Sequence, residues 1–151
     1  MANLSIGNLV PDFTLKDQND ADVTLSSFRG KKVLLSWHPL AWTGVCTDQM
    51  RALERNYQRF EELNTVPLGL SVDPQPAKAA WAAVLGLNDV KILADFWPHG
   101  KVSDDYGIFI DEFGFSKRAN FIIDEEGKLL WSKVYRMSEL PDIEEVFEQL
   151  K

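Results

Sequence analysis

Pro39, Thr43 and Cys46 stand in the segment Trp37-His38-Pro39-Leu40-Ala41-Trp42-Thr43-Gly44-Val45-Cys46-Thr47, where an apolar run gives way to an amphipathic one. The cysteine is the sole thiol of the 151-residue chain, so an internal disulfide is excluded. It is either a nucleophile or a packed core residue, since free cysteines are among the most buried residue types. With Thr43 as helix N-cap, Cys46 is the third helical residue. Backbone N–H groups there lack intrahelical partners, and the macrodipole favours negative charge. The dipole alone contributes about 0.3–1 kcal/mol at an exposed site and up to ~2 kcal/mol when partly buried. A reactive thiolate needs a cation as well. The nearest basic residue downstream, Arg51, falls on a different part of the helix, so the cation has to come from elsewhere in the fold.

The flanking sequence supplies the elements that would position this segment. Val33-Leu34-Leu35-Ser36-Trp37 is a short apolar run suited to a central strand covered on both faces. Ahead of it, residues 11–17 and 21–25 flank Gln18-Asn19-Asp20 as a β-hairpin. After it, Met50, Leu53, Tyr57 and Phe60 recur at spacings of three and four, which predicts one surface-packed helix over residues 46–63. Residues 66–72 read as a second strand. Pro74 and Pro76 open a helix that Gly86 ends, and residues 91–94 read as a third strand.

Residues 95–115 are irregular, with one short helix ending near Tyr106. Residues 119–124 and 128–134 form a hairpin about Glu125-Glu126-Gly127. Pro141 begins a last helix with Ile143, Val146, Phe147 and Leu150 on one face. The order predicts an α/β fold with a mixed central sheet, as one domain over residues 1–151.

Composition excludes several functions. A net charge of -7 without a basic cluster argues against nucleic acid. Apolar runs fall well short of the roughly 20 residues that span a bilayer, and no basic and apolar leader opens the chain, so no membrane association or secretion is expected. One Cys and two His, at 38 and 99, give no zinc-ligand spacing. No metal or cofactor is expected, and a lone thiol is consistent with a cytoplasmic location.

Pro39, Thr43 and Cys46 match Pro-x-x-x-Thr-x-x-Cys, and here the sequence resembles the peroxiredoxins, thiol peroxidases with a thioredoxin-like fold. The likeness runs through Val10-Pro11-Asp12-Phe13-Thr14-Leu15, Leu25-Ser26-Ser27-Phe28-Arg29-Gly30-Lys31-Lys32-Val33, Ser71-Val72-Asp73, Ala80-Trp81 and Arg118-Ala119-Asn120-Phe121-Ile122-Ile123-Asp124, in the family's order. It implies a central mixed sheet flanked by helices, with an N-terminal hairpin.

The resemblance also implies roles. Cys46 would be the peroxidatic nucleophile, Thr43 would hold the peroxide and Pro39 would shield the thiolate. Arg118 would be the missing cation, with Gln49 where the family often places a residue bonded to that arginine. The cycle would run through a sulfenic acid recycled by an external thiol: thioredoxin, glutaredoxin or a low-molecular-weight thiol. A homodimer is the family expectation.

The sequence departs from the family in three places. His38 stands where an aromatic residue is usual, Trp42 replaces a common phenylalanine, and Gly44 follows Thr43 where proline is frequent. His38 is open between pocket wall and proton-transfer group, Thr43 between helix cap and peroxide holder, and Gln49 between cap partner and arginine support. Trp81 is core, or a neighbour of the arginine. The alternative to a turning-over peroxidase is a peroxide sensor or thioredoxin-like module that signals through a mixed disulfide.

Overall fold

The computed structural model describes residues 4–151; residues 1–3, part of the segment read above for a leader, lie outside the described residues. The elements in chain order are β1 (Thr14–Lys16), β2 (Asp22–Thr24), β3 (Lys32–Trp37), α1 (Gly44–Arg55), α2 (Tyr57–Glu62), β4 (Thr65–Ser71), α3 (Gln75–Leu85) and β5 (Lys91–Ala94). They continue with α4 (Lys101–Asp105), β6 (Phe109–Ile110), β7 (Phe115–Ser116), β8 (Arg118–Ile123), β9 (Leu129–Tyr135) and α5 (Ile143–Leu150). A seven-stranded sheet has the order β2-β1-β5-β4-β3-β8-β9, while β6 and β7 make a separate small hairpin. β3 pairs parallel with β4 and antiparallel with β8, so the apolar run is the mixed sheet's central strand.

Strand alternation decides what reaches each face. Val33, Leu35 and Trp37 of β3 join Ala119, Phe121 and Ile123 of β8 in one core cluster. Leu34 and Ile122 face the other way, into a cluster with Cys46, Met50, Phe60, Trp81, Val146 and Phe147. Ser36, Arg118 and Asn120 share that second parity. The polar members of β3 and β8 therefore face α1 while the sheet's other side stays apolar.

Two details differ from the sequence reading. The helix over residues 46–63 is two helices, broken at Asn56, whose backbone is φ -106, ψ 13 and whose side chain donates to the Ala52 carbonyl at 2.8 Å. Asparagine competes locally for backbone groups, and the apolar spacing runs on through the break, which is why periodicity did not reveal it. The β6–β7 hairpin, apart from its last residue Ser116, lies in the stretch read as irregular. Pro67 occupies a central strand, but β5 begins to pair only at Leu68, so its missing N–H faces no partner strand there. The N-terminal hairpin, the helix ended by left-handed Gly86 and the β8–β9 hairpin match expectation.

Candidate active site

The chain leaves β3 at Trp37 and turns through Pro39, which is buried, towards α1. Trp42 takes a left-handed backbone (φ 73), a strained choice for a bulky residue that turns the chain into the helix. Thr43 is the N-cap, with φ -93 and ψ 155, as read from sequence. Its hydroxyl does not cap, however; it donates to the Leu40 carbonyl at 2.8 Å and ties the loop to itself. The Thr47 amide is the first to bond back within the helix, to Thr43 at 2.9 Å, which leaves those of Gly44, Val45 and Cys46 as free first-turn donors. Cys46 is the third helical residue and is completely buried, while Thr43 beside it is exposed.

The cation arrives from the sheet. Arg118 Nη1 lies 3.3 Å from Cys46 Sγ and donates to Gln49 Oε1 at 2.6 Å. Its Nε and Nη2 both donate to the Met137 carbonyl, at 3.2 and 2.9 Å. Gln49 is held in turn, since its Nε2 donates to Ser36 Oγ at 2.7 Å and to the Trp37 carbonyl at 3.2 Å. Gln49 thus bonds Arg118 directly. Arg118 and Gln49 are both buried, so a fixed planar charge with satisfied partners sits against the thiol in a water-poor pocket.

His38 and Trp81 come together, with ring centroids 5.3 Å apart. Trp81 thus packs on His38, inside the core cluster that holds Cys46. Burial first, then the charges of Lys78 and Arg118, hold the His38 imidazole well below its ordinary range, so the ring is neutral. The Ser36 backbone pulls the other way without a well-formed hydrogen bond, and Nδ1 has no partner among the described residues.

Two residues escaped the sequence reading. Asp73 Oδ2 accepts from the Ala41 amide at 2.8 Å and from Ser71 Oγ at 2.5 Å, anchoring the loop between Pro39 and Thr43 to the end of β4. The signal available was an acidic residue directly after an apolar strand. Lys78 is fully buried on α3, with Nζ 3.0 Å from His38 Nε2 and 5.7 Å from the Trp81 ring centroid. Nothing in its Ala-rich surroundings announced this. Among the described residues no cluster of His, Cys, Asp and Glu could hold a metal ion, and no helix is long and apolar enough to cross a membrane.

The pattern of the AhpC/TSA family matches residues 6–132. This chain belongs to the AhpC/TSA family. Alkyl hydroperoxide reductase E of Mycobacterium tuberculosis is 39% identical over 140 residues, covering 92% of this chain and 91% of that protein. The crystal structure of peroxidoxin BcpB from the same organism superposes with TM-score 0.85 at 27% identity, covering 98% of this chain and 97% of its own. The reduced 2-Cys peroxiredoxin of Plasmodium vivax gives TM-score 0.86 at 28% identity, covering 96% and 79%. This AhpC/TSA chain is thus a peroxiredoxin with the thioredoxin-like fold, a peroxidase of the oxidoreductase class.

Proposed function

We propose that this peroxiredoxin reduces hydrogen peroxide and organic hydroperoxides by a one-cysteine cycle centred on Cys46. The observation that carries the reading is the contact of Arg118 Nη1 with Cys46 Sγ, 3.3 Å long, at the first turn of α1. In this cycle the Cys46 thiolate attacks one peroxide oxygen, the O–O bond breaks, and negative charge develops on the leaving oxygen. The guanidinium and the free first-turn amides are donors already in place for that charge. Thr43 presents its hydroxyl oxygen to the peroxide, Pro39 keeps water from the sulfur, and Gln49 holds Arg118 in line. His38 and Trp81 wall the pocket.

With one cysteine in the chain, the sulfenic acid waits for an external thiol: thioredoxin, glutaredoxin or a low-molecular-weight thiol. We further propose that residues 1–151 act as one domain, in a cytoplasmic homodimer. The test is intact-mass spectrometry after one equivalent of hydrogen peroxide, followed by peroxide consumption with several thiol donors. A one-oxygen adduct that persists until thiol is added, then multiple turnovers, is the expected result. An immediate dimer bridged through Cys46 of both subunits would overturn the cycle. A mixed disulfide formed without turnover would favour a sensor instead.

A further inference from the structure

Lys78 is a buried cationic group that the cycle above leaves unused. Its side chain and that of His38 have no exposed surface, and Nζ and Nε2 are 3.0 Å apart. An ammonium can only donate, so the contact places the imidazole proton on Nδ1 whenever Lys78 is charged. The charged and titratable groups that face this pair, Lys78 on α3 and His38 just after β3, come from three places: Asp73 after β4, Cys46 on α1 and Arg118 on β8.

With Cys46 as thiolate and Lys78 protonated, two cations face two anions. Oxidation to sulfenic acid removes one of the anions. Arg118 cannot give up a proton in compensation. Asp73, whose Oδ2 accepts from the Ala41 amide and from Ser71 Oγ, is an acceptor there and has no proton to release. Only Lys78 is left to restore the balance.

We propose that Lys78 and His38 form a buried proton-holding pair whose charge follows that of Cys46, keeping a proton while the thiolate stands and yielding it when the sulfur is oxidised. This rests on the reading of Cys46 as the atom that peroxide attacks. In that step the thiolate sulfur bonds to one peroxide oxygen, which keeps its hydrogen, and the O–O bond breaks. Sulfur loses two electrons, the peroxide gains them, and the products are Cys46–SOH and a hydroxide or alkoxide. The leaving oxygen takes up one proton from water and Lys78 releases one to water as it passes from ammonium to amine, so protons balance and the net charge of the pocket is kept. When the external thiol returns Cys46 to thiolate, the amine is protonated again. Lys78 forms no hydrogen bond with Cys46 among the described residues, so it is a positioning residue acting through charge. Burial already brings its amine down to about 7, with Asp73 and then Cys46 pulling the other way; removing the Cys46 charge leaves burial less opposed.

The experiment follows the Lys78 amine by nuclear magnetic resonance in the full chain, carbon-13 labelled at lysine Cε. It compares the reduced protein with Cys46→Ser across the pH range. The signal is assigned by its loss in Lys78→Arg, or by its contacts with the Trp81 ring if that variant does not fold. The expected result is a titration near neutrality in the reduced protein, displaced by about one pH unit or more to lower pH in Cys46→Ser. The same midpoint in both proteins, or a Lys78 that titrates with the surface lysines, would overturn the proposal. Thiol-dependent peroxide turnover by the wild type is measured alongside. An uncoupled Lys78 in an active peroxidase removes this proposal alone. A coupled Lys78 in a protein without turnover removes the reading of the site, and with it the use of the proton.

Discussion

Gln49 Oε1 accepts a 2.6 Å hydrogen bond from Arg118 Nη1, the same nitrogen that reaches the sulfur of Cys46. The amide has one orientation available, because its other end donates to Ser36 Oγ and the Trp37 carbonyl. Gln49 therefore aims the guanidinium from the floor of β3. Gln49→Leu keeps the volume but strips these bonds, and we expect a loss of about 1–3 kcal/mol in stability. Reaction with peroxide should slow at least about tenfold, the factor that ~1.4 kcal/mol of misplaced transition-state contact represents. Chemical denaturation and stopped-flow tryptophan fluorescence measure the two effects separately.

Arg118→Lys retains a positive charge without the planar fork that addresses Gln49, the Met137 carbonyl and the sulfur together. The variant should fold and lose on the order of 10²–10³ in its rate with hydrogen peroxide. A folded Arg118→Lys with the wild-type rate would make this arginine a bystander.

Asp73 reaches the active loop from outside the motif. In Asp73→Ala the buried end of the loop loses the acceptor for the Ala41 amide, at a cost of about 1–3 kcal/mol. Because that amide lies between Pro39 and Thr43, the peroxide rate should fall while helix content, read by circular dichroism, stays unchanged. A variant that loses stability but keeps its rate would show the tether to be structural only.

Lys78 also makes stability depend on pH in a direction that can be worked out. Its amine titrates at about 7 in the folded chain against an ordinary 10.5, so between those values the unfolded chain binds more protons. Stability conferred by this group therefore rises with pH across that window, and as pH falls it is lost progressively from about 10.5, the loss being complete near 7. Lys78→Met lacks the effect. Between pH 7 and 10 the wild type should gain on the variant by on the order of a few kcal/mol in paired denaturant titrations. Parallel curves would show that Lys78 is charged and solvated.

How much of this was legible in the sequence depends on the range of the forces involved. The central place of β3 was readable because a strand buried on both faces must be apolar throughout, and Val33 to Trp37 nearly is. Thr43 and Cys46 were readable because an N-cap and the first turn are local matters. The break at Asn56 was hidden because Tyr57 and Phe60 keep the helical spacing across it. Arg118 and Gln49 became candidates through resemblance, since no local rule says that residues 69 apart in sequence meet. Lys78 was out of reach. Its burial depends on α3 lying over His38, a contact 40 residues long in sequence, and an isolated lysine among alanines reads as solvated.

In the proposed cycle, the complete burial of Cys46 divides the two partners by size. A peroxide offers two linked oxygens and needs little space. A reducing thiol must bring its sulfur in line with the S–O bond, and Cys46, the third residue of α1, has no exposed surface to meet it. On that reading, recycling calls for the start of α1 to open, a local event with its own free energy. The oxidised molecule of that cycle is a timer whose interval the helix sets, so changes that stiffen the start of α1 should lengthen the oxidised lifetime without touching the speed of oxidation.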